Sequence, residues 1–166
     1  MKYTNQDLLN LFKQLQNAEI LIKNDNVKST HLSYAINTNK DRITPLVTFI
    51  QNELKNEELN KFNTEREDIC KKYAKKNEAG EFIITTTNNA DTYTIEDEHK
   101  PSFDAEILAI QSKYKSVIED FQKKIEELEK FLLEYNTEIS LYYIDIDKIP
   151  ADFSIDIMTL TSKIIK

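Results

Sequence analysis

A single glycine, Gly80, in 166 residues is the feature that most narrows what this chain can fold into. Dinucleotide-binding fingerprints, phosphate-binding P-loops and nucleophile elbows each need several glycines close together, because the backbone must turn tightly beside the ligand. All three kinds of site are therefore excluded. The chain also has only three prolines, and this shortage of turn-forming residues favours long regular elements.

The charge of the chain is unevenly distributed. Residues 1–80 carry 13 Lys and Arg against 11 Asp and Glu, whereas residues 81–166 carry 9 against 18. An acidic half argues against direct binding of nucleic acid, because neutralising phosphates requires clustered cations. The same charge would suit a basic protein partner, although solubility is the commoner reason for an acidic surface.

The location of the protein is indicated by what the sequence does not contain. No apolar run is long enough to cross a bilayer, and no apolar segment typical of a signal peptide follows Lys2. Cys70 is the only cysteine, so it has no disulfide partner within the chain, and a reducing compartment is expected. The prediction is a cytoplasmic protein without membrane association, in which Cys70 packs within a helix.

Hydrophobic periodicity predicts an N-terminal helix over residues 1–28. Thr4 and Asp7 have the spacing of a capping box, in which each side chain accepts a hydrogen bond from the other residue's backbone. Apolar residues then recur every three or four positions, which indicates one buried face. These residues are Leu8, Leu11, Leu15, Ala18 and Ile22.

A long second helix is predicted over residues 29–80. Ser29 or Thr30 can cap its start. Pro45 predicts a kink, or a break and restart, near residue 44, since proline is costly inside a helix but harmless in a first turn. Gly80 suits the left-handed conformation that ends many helices.

The second half of the chain is predicted to contain a hairpin, a long helix, a strand and a short helix. Residues 81–97 hold two runs rich in Thr, Ile and Tyr, which predict a β-hairpin. Residues 101–136 carry apolar residues at alternating steps of three and four, typical of a helical hairpin or coiled-coil seam. A strand over 138–147 and a helix over 154–164 follow.

The predicted fold class is therefore α+β, mostly α, in a single domain of residues 1–166. Two long antiparallel helices are joined by a β-hairpin. An N-terminal helix is added to them, and the C-terminal strand joins the hairpin in a small antiparallel sheet.

Two acidic segments are the weak candidates for metal binding. Asp145 and Asp147 lie two residues apart on the predicted strand, so both would point to one face. Residues 96–99 place three acids and a histidine in one turn, but a zinc site usually requires cysteines or more histidines. We expect solvated acids, no cofactor and no catalytic residues, with a metal-dependent enzyme as a remote alternative.

The candidates for contact with a partner are exposed aromatic and acidic residues. On the second helix, Leu32 and Ile36 would face the protein core. Tyr34 lies between them in the sequence and would project from another face of the helix. These side chains would either pack within the protein or touch a partner, because exposed aromatic residues are common interface anchors. The candidate interaction residues are Tyr34, Asn37, Tyr142, Tyr143, Glu96, Asp97 and Glu98.

Four segments of the sequence together resemble a family of small bacteriophage and prophage proteins of unknown function. The segments are HLSYAINTNKDRITP, KKYAKKNEAGEF, YTIED followed by FDAE, and LYYIDIDKIPADF. The residues near the family's recurrent positions are Lys28, Leu32, Tyr34, Ile36, Asn39 and Gly80. Asn37 could take the place of Asn39 in this match. The longer Thr- and Asn-rich hairpin at 81–95 departs from the family pattern. The resemblance implies a phage or prophage origin and no catalytic residues.

Two functions remain open from the sequence. The first is a non-enzymatic protein that binds another protein of the phage or of the bacterial host, as an assembly factor or as an inhibitor of a host defence. The second is a virion component that forms a homo-oligomer through the coiled-coil seam.

Overall fold

A computed structural model describes residues 2–24, 29–87, 90–149 and 154–166 of the chain. The chain divides into two compact units: unit 1 contains Met1–Leu54 and Ile125–Lys166, and unit 2 contains Lys55–Lys124. The described residues are mostly helical, with two small two-stranded antiparallel sheets, which confirms the coarse fold class. The elements are β1 (Tyr3–Thr4), α1 (Asn5–Asn24), α2 (Thr30–Glu53), α3 (Glu57–Tyr73), β2 (Ile84–Thr87), β3 (Ala90–Tyr93), α4 (Lys100–Lys113), α5 (Lys115–Leu133), β4 (Tyr135–Asn136) and α6 (Ile155–Thr161).

The start of α1 is fixed by the predicted capping box. The Asp7 backbone N–H donates to Thr4 Oγ1 at 3.1 Å, and the Thr4 N–H donates to Asp7 Oδ2 at 3.1 Å. The pKa of Asp7 lies below its ordinary value of 3.8, chiefly because of that backbone N–H and then because of the Thr4 hydroxyl. The helix is described to Asn24, and the predicted extension over 25–28 lies outside the described residues.

We predict that Asp7→Ala lowers the free energy of unfolding at pH 7 by about 1 kcal/mol, since it removes one half of the capping box. Because the folded-state pKa is depressed, the stabilisation is present above the unfolded pKa and is lost as the pH falls through the folded pKa. Urea unfolding of wild type and variant at neutral and at strongly acidic pH should therefore show a difference that shrinks in acid. A pH-independent difference would contradict this, and Asp41→Ala, at an exposed position in α2, is the control.

The core of unit 1 is built on the predicted apolar face of α1. Leu8, Leu11, Leu15 and Ala18 are fully buried, and Ile22 is 8% exposed. They pack in one cluster with apolar residues of α2, α6 and the C-terminal segment, namely Leu32, Ala35, Ile36, Ile43, Leu46, Ile50, Leu141, Ile144, Ile157 and Ile164. The tertiary packing of these faces, more than helix propensity, holds the helices in place.

The sequence predicted a kink, or a break and restart, near residue 44. Helix α2 is continuous there, so the break is wrong, and the kink stays a prediction. Ser29 caps α2 as predicted by accepting from the Leu32 N–H at 3.3 Å, but the helix then continues through Pro45 to Glu53. A proline inside a helix costs about 3 kcal/mol. Buried residues on both sides of Pro45, including Ile43 and Leu46, offset that cost.

The break between helices lies at residues 54–56. The sequence contains a helix cap there, but the apolar periodicity continues across it and predicts one helix. The Asn56 side chain caps α3 by accepting from the Leu59 N–H at 3.0 Å, and Glu57 and Glu58 occupy the first turn. Carboxylates favour that position because it is the positive end of the helix dipole.

Unit 2 contains α3 and α4 in antiparallel orientation. Lys72, near the end of α3, pairs with Glu106 in the middle of α4. Glu65, in the middle of α3, pairs with Lys113 at the end of α4, and this reversed order shows the antiparallel arrangement. In chain order, β2 and β3 lie between α3 and α4, and they form the predicted antiparallel hairpin with Ile84 opposite Tyr93. The hydrophobic cluster of this unit consists of buried Phe62, Ile110 and Tyr114, with half-buried Leu59, Ile69, Val117 and Ile118 packed around them.

Gly80 has the predicted left-handed backbone, with φ 80°, but it does not end a helix. The helix α3 stops at Tyr73, and Gly80 lies in a turn whose N–H groups at Ala79 and Glu81 donate to Asn77 Oδ1. An asparagine side chain that accepts from following backbone groups stabilises such a turn. Any residue other than glycine would be strained at this φ.

The extended segment that pairs with the hairpin also differs from the prediction. Residues 138–147 do not form a strand, and β4 pairs with β1 in a separate sheet. The residues that follow α3 pair with the hairpin flanks instead, through bridges between Ala74 and Ile95 and between Lys76 and Phe82. The apolar residues of 138–147 are used elsewhere, since Leu141 and Ile144 are buried in the core of unit 1.

The helix predicted over 101–136 is interrupted once. Helix α4 ends at Lys113, α5 begins at Lys115, and Tyr114 between them has φ −104° and ψ 13°. The Tyr114 ring is buried, and its hydroxyl donates to Glu65 Oε1 at 2.8 Å. The interruption therefore coincides with the anchoring of Tyr114 on α3.

Among the residues that the structure describes, no helix combines the length and the apolar character that crossing a lipid bilayer requires.

Candidate functional site

The site with the clearest construction is an exposed pair of tyrosines on unit 1. Tyr34 of α2 is 60% exposed, and Tyr142 of the segment 137–149 is 38% exposed. Their ring centroids lie 5.4 Å apart with an interplanar angle of 84°, an edge-to-face contact. This geometry is favourable for aromatic rings and holds both of them in place. We call Tyr34 and Tyr142 the tyrosine pair.

The backbone beneath Tyr142 is held by a buried asparagine. Asn39 has no exposed surface, and its Oδ1 accepts from the Tyr142 N–H at 2.7 Å. Its Nδ2 donates to the Tyr142 carbonyl at 2.8 Å and to the Ala35 carbonyl at 2.9 Å. The amide of Asn39 therefore pairs with the Tyr142 backbone in the way that a neighbouring strand would. It supplies partners for the Tyr142 N–H and carbonyl, which would be costly to bury without hydrogen bonds.

Further contacts fix the segment on both sides of Tyr142. Arg42 of α2 donates to the Ser140 carbonyl at 2.6 Å. The Ile144 N–H donates to the Ile164 carbonyl, and the Lys166 N–H donates to the Ile144 carbonyl, both at 2.9 Å. With Leu141 and Ile144 buried on either side, the Tyr142 ring faces solvent on a backbone that is already ordered.

Tyr143 belongs to a different surface. It lines a cavity of about 450 Å³ together with Lys2, Tyr3 and Tyr135. The hydroxyls of Tyr3 and Tyr143 are 3.4 Å apart, and burial, followed by that neighbour, raises the pKa of Tyr3 to about 12. This shift favours the neutral form of the Tyr3 hydroxyl.

The other candidate interaction residues from the sequence do not join the tyrosine pair. Asn37 is exposed on α2, and it is Asn39, two positions later, that has the structural role. No local sequence pattern distinguishes the two asparagines, because the role of Asn39 depends on its contact with Tyr142, 103 positions away. The missed residues are thus Asn39 and Arg42, which hold the segment that bears Tyr142.

The acidic turn lies in unit 2, directly before α4. Within the described residues, the one group with convergent metal-ligating atoms is Glu96, Glu98 and His99, whose ligand atoms lie within 4.8 Å of one another. His99 Nε2 is 3.6 Å from Glu96 and 3.5 Å from Glu98. Asp97 pairs with Lys100 at 2.5 Å.

The surroundings of this turn disfavour a cation. The turn precedes the N-terminus of α4, where the helix dipole is positive, and Lys100 adds a full positive charge. All three ligand side chains are also substantially exposed to water. The arrangement is that of exposed acids beside the positive end of a helix dipole and a lysine.

The geometric argument for Asp145 and Asp147 is wrong, because these residues are not on a strand. Asp145 precedes a single 3-10 turn, Ile146–Lys148, in which Asp147 is exposed. Asp145 Oδ2 lies 3.3 Å from Lys148 Nζ, so the nearest charged group is a lysine in an exposed ion pair.

Comparisons with known proteins give no relative: no protein-family model, no curated protein and no solved structure matches this chain.

Proposed function

We propose that this chain is a non-enzymatic protein-binding protein that docks a partner through the tyrosine pair. The observation that carries the proposal is that two exposed rings stand on a backbone fixed by the buried Asn39. Exposed tyrosines supply large apolar contact areas with a polar hydroxyl at the tip. A surface that is ordered before binding loses less conformational entropy on association.

The kind of partner is proposed from the sequence. The resemblance to phage and prophage proteins favours a phage assembly component or a bacterial host protein, in the host cytoplasm or in the virion. The excess of acids in residues 81–166 would favour a basic surface on that partner. A metal-dependent activity remains the remote alternative, and Asp145 or the acidic turn adds little support to it.

The test is capture of a partner by tagged protein from bacterial cells, with and without phage infection. Wild type is compared with the double variant Tyr34→Ala/Tyr142→Ala and with Ile20→Ala, which changes an exposed apolar residue of α1. We expect the affinity for the purified partner to fall at least about tenfold in the double variant, because interface anchors typically contribute more than 1 kcal/mol each. Equal capture by wild type and double variant would remove the tyrosine pair from the interface.

The salt dependence of the same interaction separates an inhibitor that binds through its acidic half from an assembly factor that does not. If the acidic half competes for a basic surface, the association should weaken steeply between low and physiological salt, since exposed charges are screened. An affinity that is insensitive to salt would favour the assembly factor.

A homo-oligomer is the second candidate, and helix α5 favours it. Its apolar residues recur every three or four positions, yet none of its residues is fully buried. Light scattering on the purified protein distinguishes the two candidates, because a self-associating chain has a mass that is a multiple of 19.5 kDa.

A further inference from the structure

Unit 2 contains two adjoining cavities that share three lining residues. The first, of about 620 Å³, lies between α3, the hairpin and α4, and the second, of about 660 Å³, lies between α3, α4 and the start of α5. Arg66, Cys70 and Phe103 line both cavities. We call the two together the α3–α4 groove.

The walls of the α3–α4 groove include apolar side chains that do not belong to the packed cluster of unit 2. Phe103 and Ile107 of α4 are half-buried but lie outside the packed cluster of unit 2. Ile84 of the hairpin is 51% exposed at the end of the first cavity. An apolar surface of this kind gains free energy when a partner covers it.

Arg66 stands at the centre of the groove with a free positive charge. Within the residues that the structure describes, its side chain has no ion pair or hydrogen bond. The two acids that line the cavities are each paired with a lysine: Glu67 with Lys71 at 2.7 Å, and Glu119 with Lys115 at 3.8 Å. A guanidinium in this position is complementary to a carboxylate, which it can bind through two parallel hydrogen bonds.

The shape of the groove indicates the form of its occupant. Phe62, Arg66 and Cys70 are spaced four residues apart on α3, so this row extends over about 12 Å. Phe103, Ile107 and Gln111 form the matching row on antiparallel α4. A third helix laid between two antiparallel helices completes a bundle, and this is a common way of recognising an amphipathic helix.

We propose that the α3–α4 groove binds an amphipathic helix of a partner protein, with a carboxylate of that helix on Arg66. The helix would present apolar residues at positions i, i+4 and i+7 and an aspartate or glutamate beside that stripe. This site is separate from the tyrosine pair of unit 1, so either one can fail while the other stands.

The test uses a matched pair of fluorescent amphipathic peptides and the full chain. Both peptides carry leucine at i, i+4 and i+7, and they differ by one glutamate or lysine beside the stripe. Fluorescence anisotropy should show about tenfold tighter binding of the glutamate peptide to wild type, and Arg66→Glu should reverse the preference. Lys13→Glu, the same charge change on exposed α1, should leave the preference unchanged.

Cys70 provides an independent readout, because it is the only thiol in the chain and lines both cavities. The glutamate peptide should slow its reaction with a thiol reagent severalfold in wild type but not in Arg66→Glu. Three results would overturn the proposal: no binding by either peptide, equal binding of both, or protection of Cys70 that depends only on the concentration of the chain itself. The last would identify a second copy as the occupant.

Discussion

Replacing Asn39 by alanine is expected to lower the free energy of unfolding by about 2–4 kcal/mol, a large effect for a polar residue. The side chain has no exposed surface and makes three hydrogen bonds of 2.7–2.9 Å, two of them to the backbone of Tyr142. Their loss leaves backbone groups without partners and opens a cavity in the core. Urea unfolding followed by circular dichroism measures the change.

Asn37→Ala is the matched control for that experiment. Asn37 is on the same helix and is exposed, so its replacement should change the free energy of unfolding by no more than about 0.5 kcal/mol. If the two variants were equally stable, the segment that carries Tyr142 would not depend on Asn39. The proposed binding surface would then lose its ordered support.

Leu11→Ala is expected to have a similarly large effect, lowering the free energy of unfolding by about 2–5 kcal/mol. Leu11 is fully buried at the middle of the apolar face of α1, which packs on α2 and α6. The substitution removes buried apolar surface and leaves a cavity that the surrounding helices fill only in part. Thermal and urea unfolding provide the measurement.

Ile20→Ala on the same helix controls for helix propensity. Ile20 is 55% exposed, and alanine is the better helix former, so a change within about 0.5 kcal/mol is expected. A loss of stability at Ile20 equal to that at Leu11 would show that the two faces of α1 are not distinguished by burial.

The sequence predicted the elements whose signals lie within a few residues of one another. The capping box of Thr4 and Asp7 and the cap at Ser29 formed as expected. So did the left-handed Gly80 and the hairpin of β2 and β3. Local spacing determines such features, because the interacting groups are neighbours along the chain.

The element boundaries were harder to predict, because local costs compete with packing. Pro45 carries a breaking signal, yet α2 passes through it, and α3 begins only after Asn56. The free-energy cost of the proline arises within α2 itself, whereas the burial that offsets this cost depends on residues of other helices. A periodic pattern cannot weigh these two contributions.

The candidate site was predicted only in part. Tyr34 and Tyr142 were both named from the sequence as candidate interaction residues, but their contact with each other was not predicted. Asn39 lies 103 positions from Tyr142 in the chain, and a buried asparagine that replaces a strand neighbour has no local signature.

The sequence by itself determined a mostly helical chain, the apolar face of α1 and the hairpin, because periodicity and capping act over one or two helical turns. The tertiary structure alone decided that residues 138–147 lie against the core of unit 1 and not in the hairpin sheet. A segment with apolar residues on both sides can pack equally well in either place by its own pattern. The buried amide of Asn39 and the C-terminal residues supply the hydrogen bonds that select one of them.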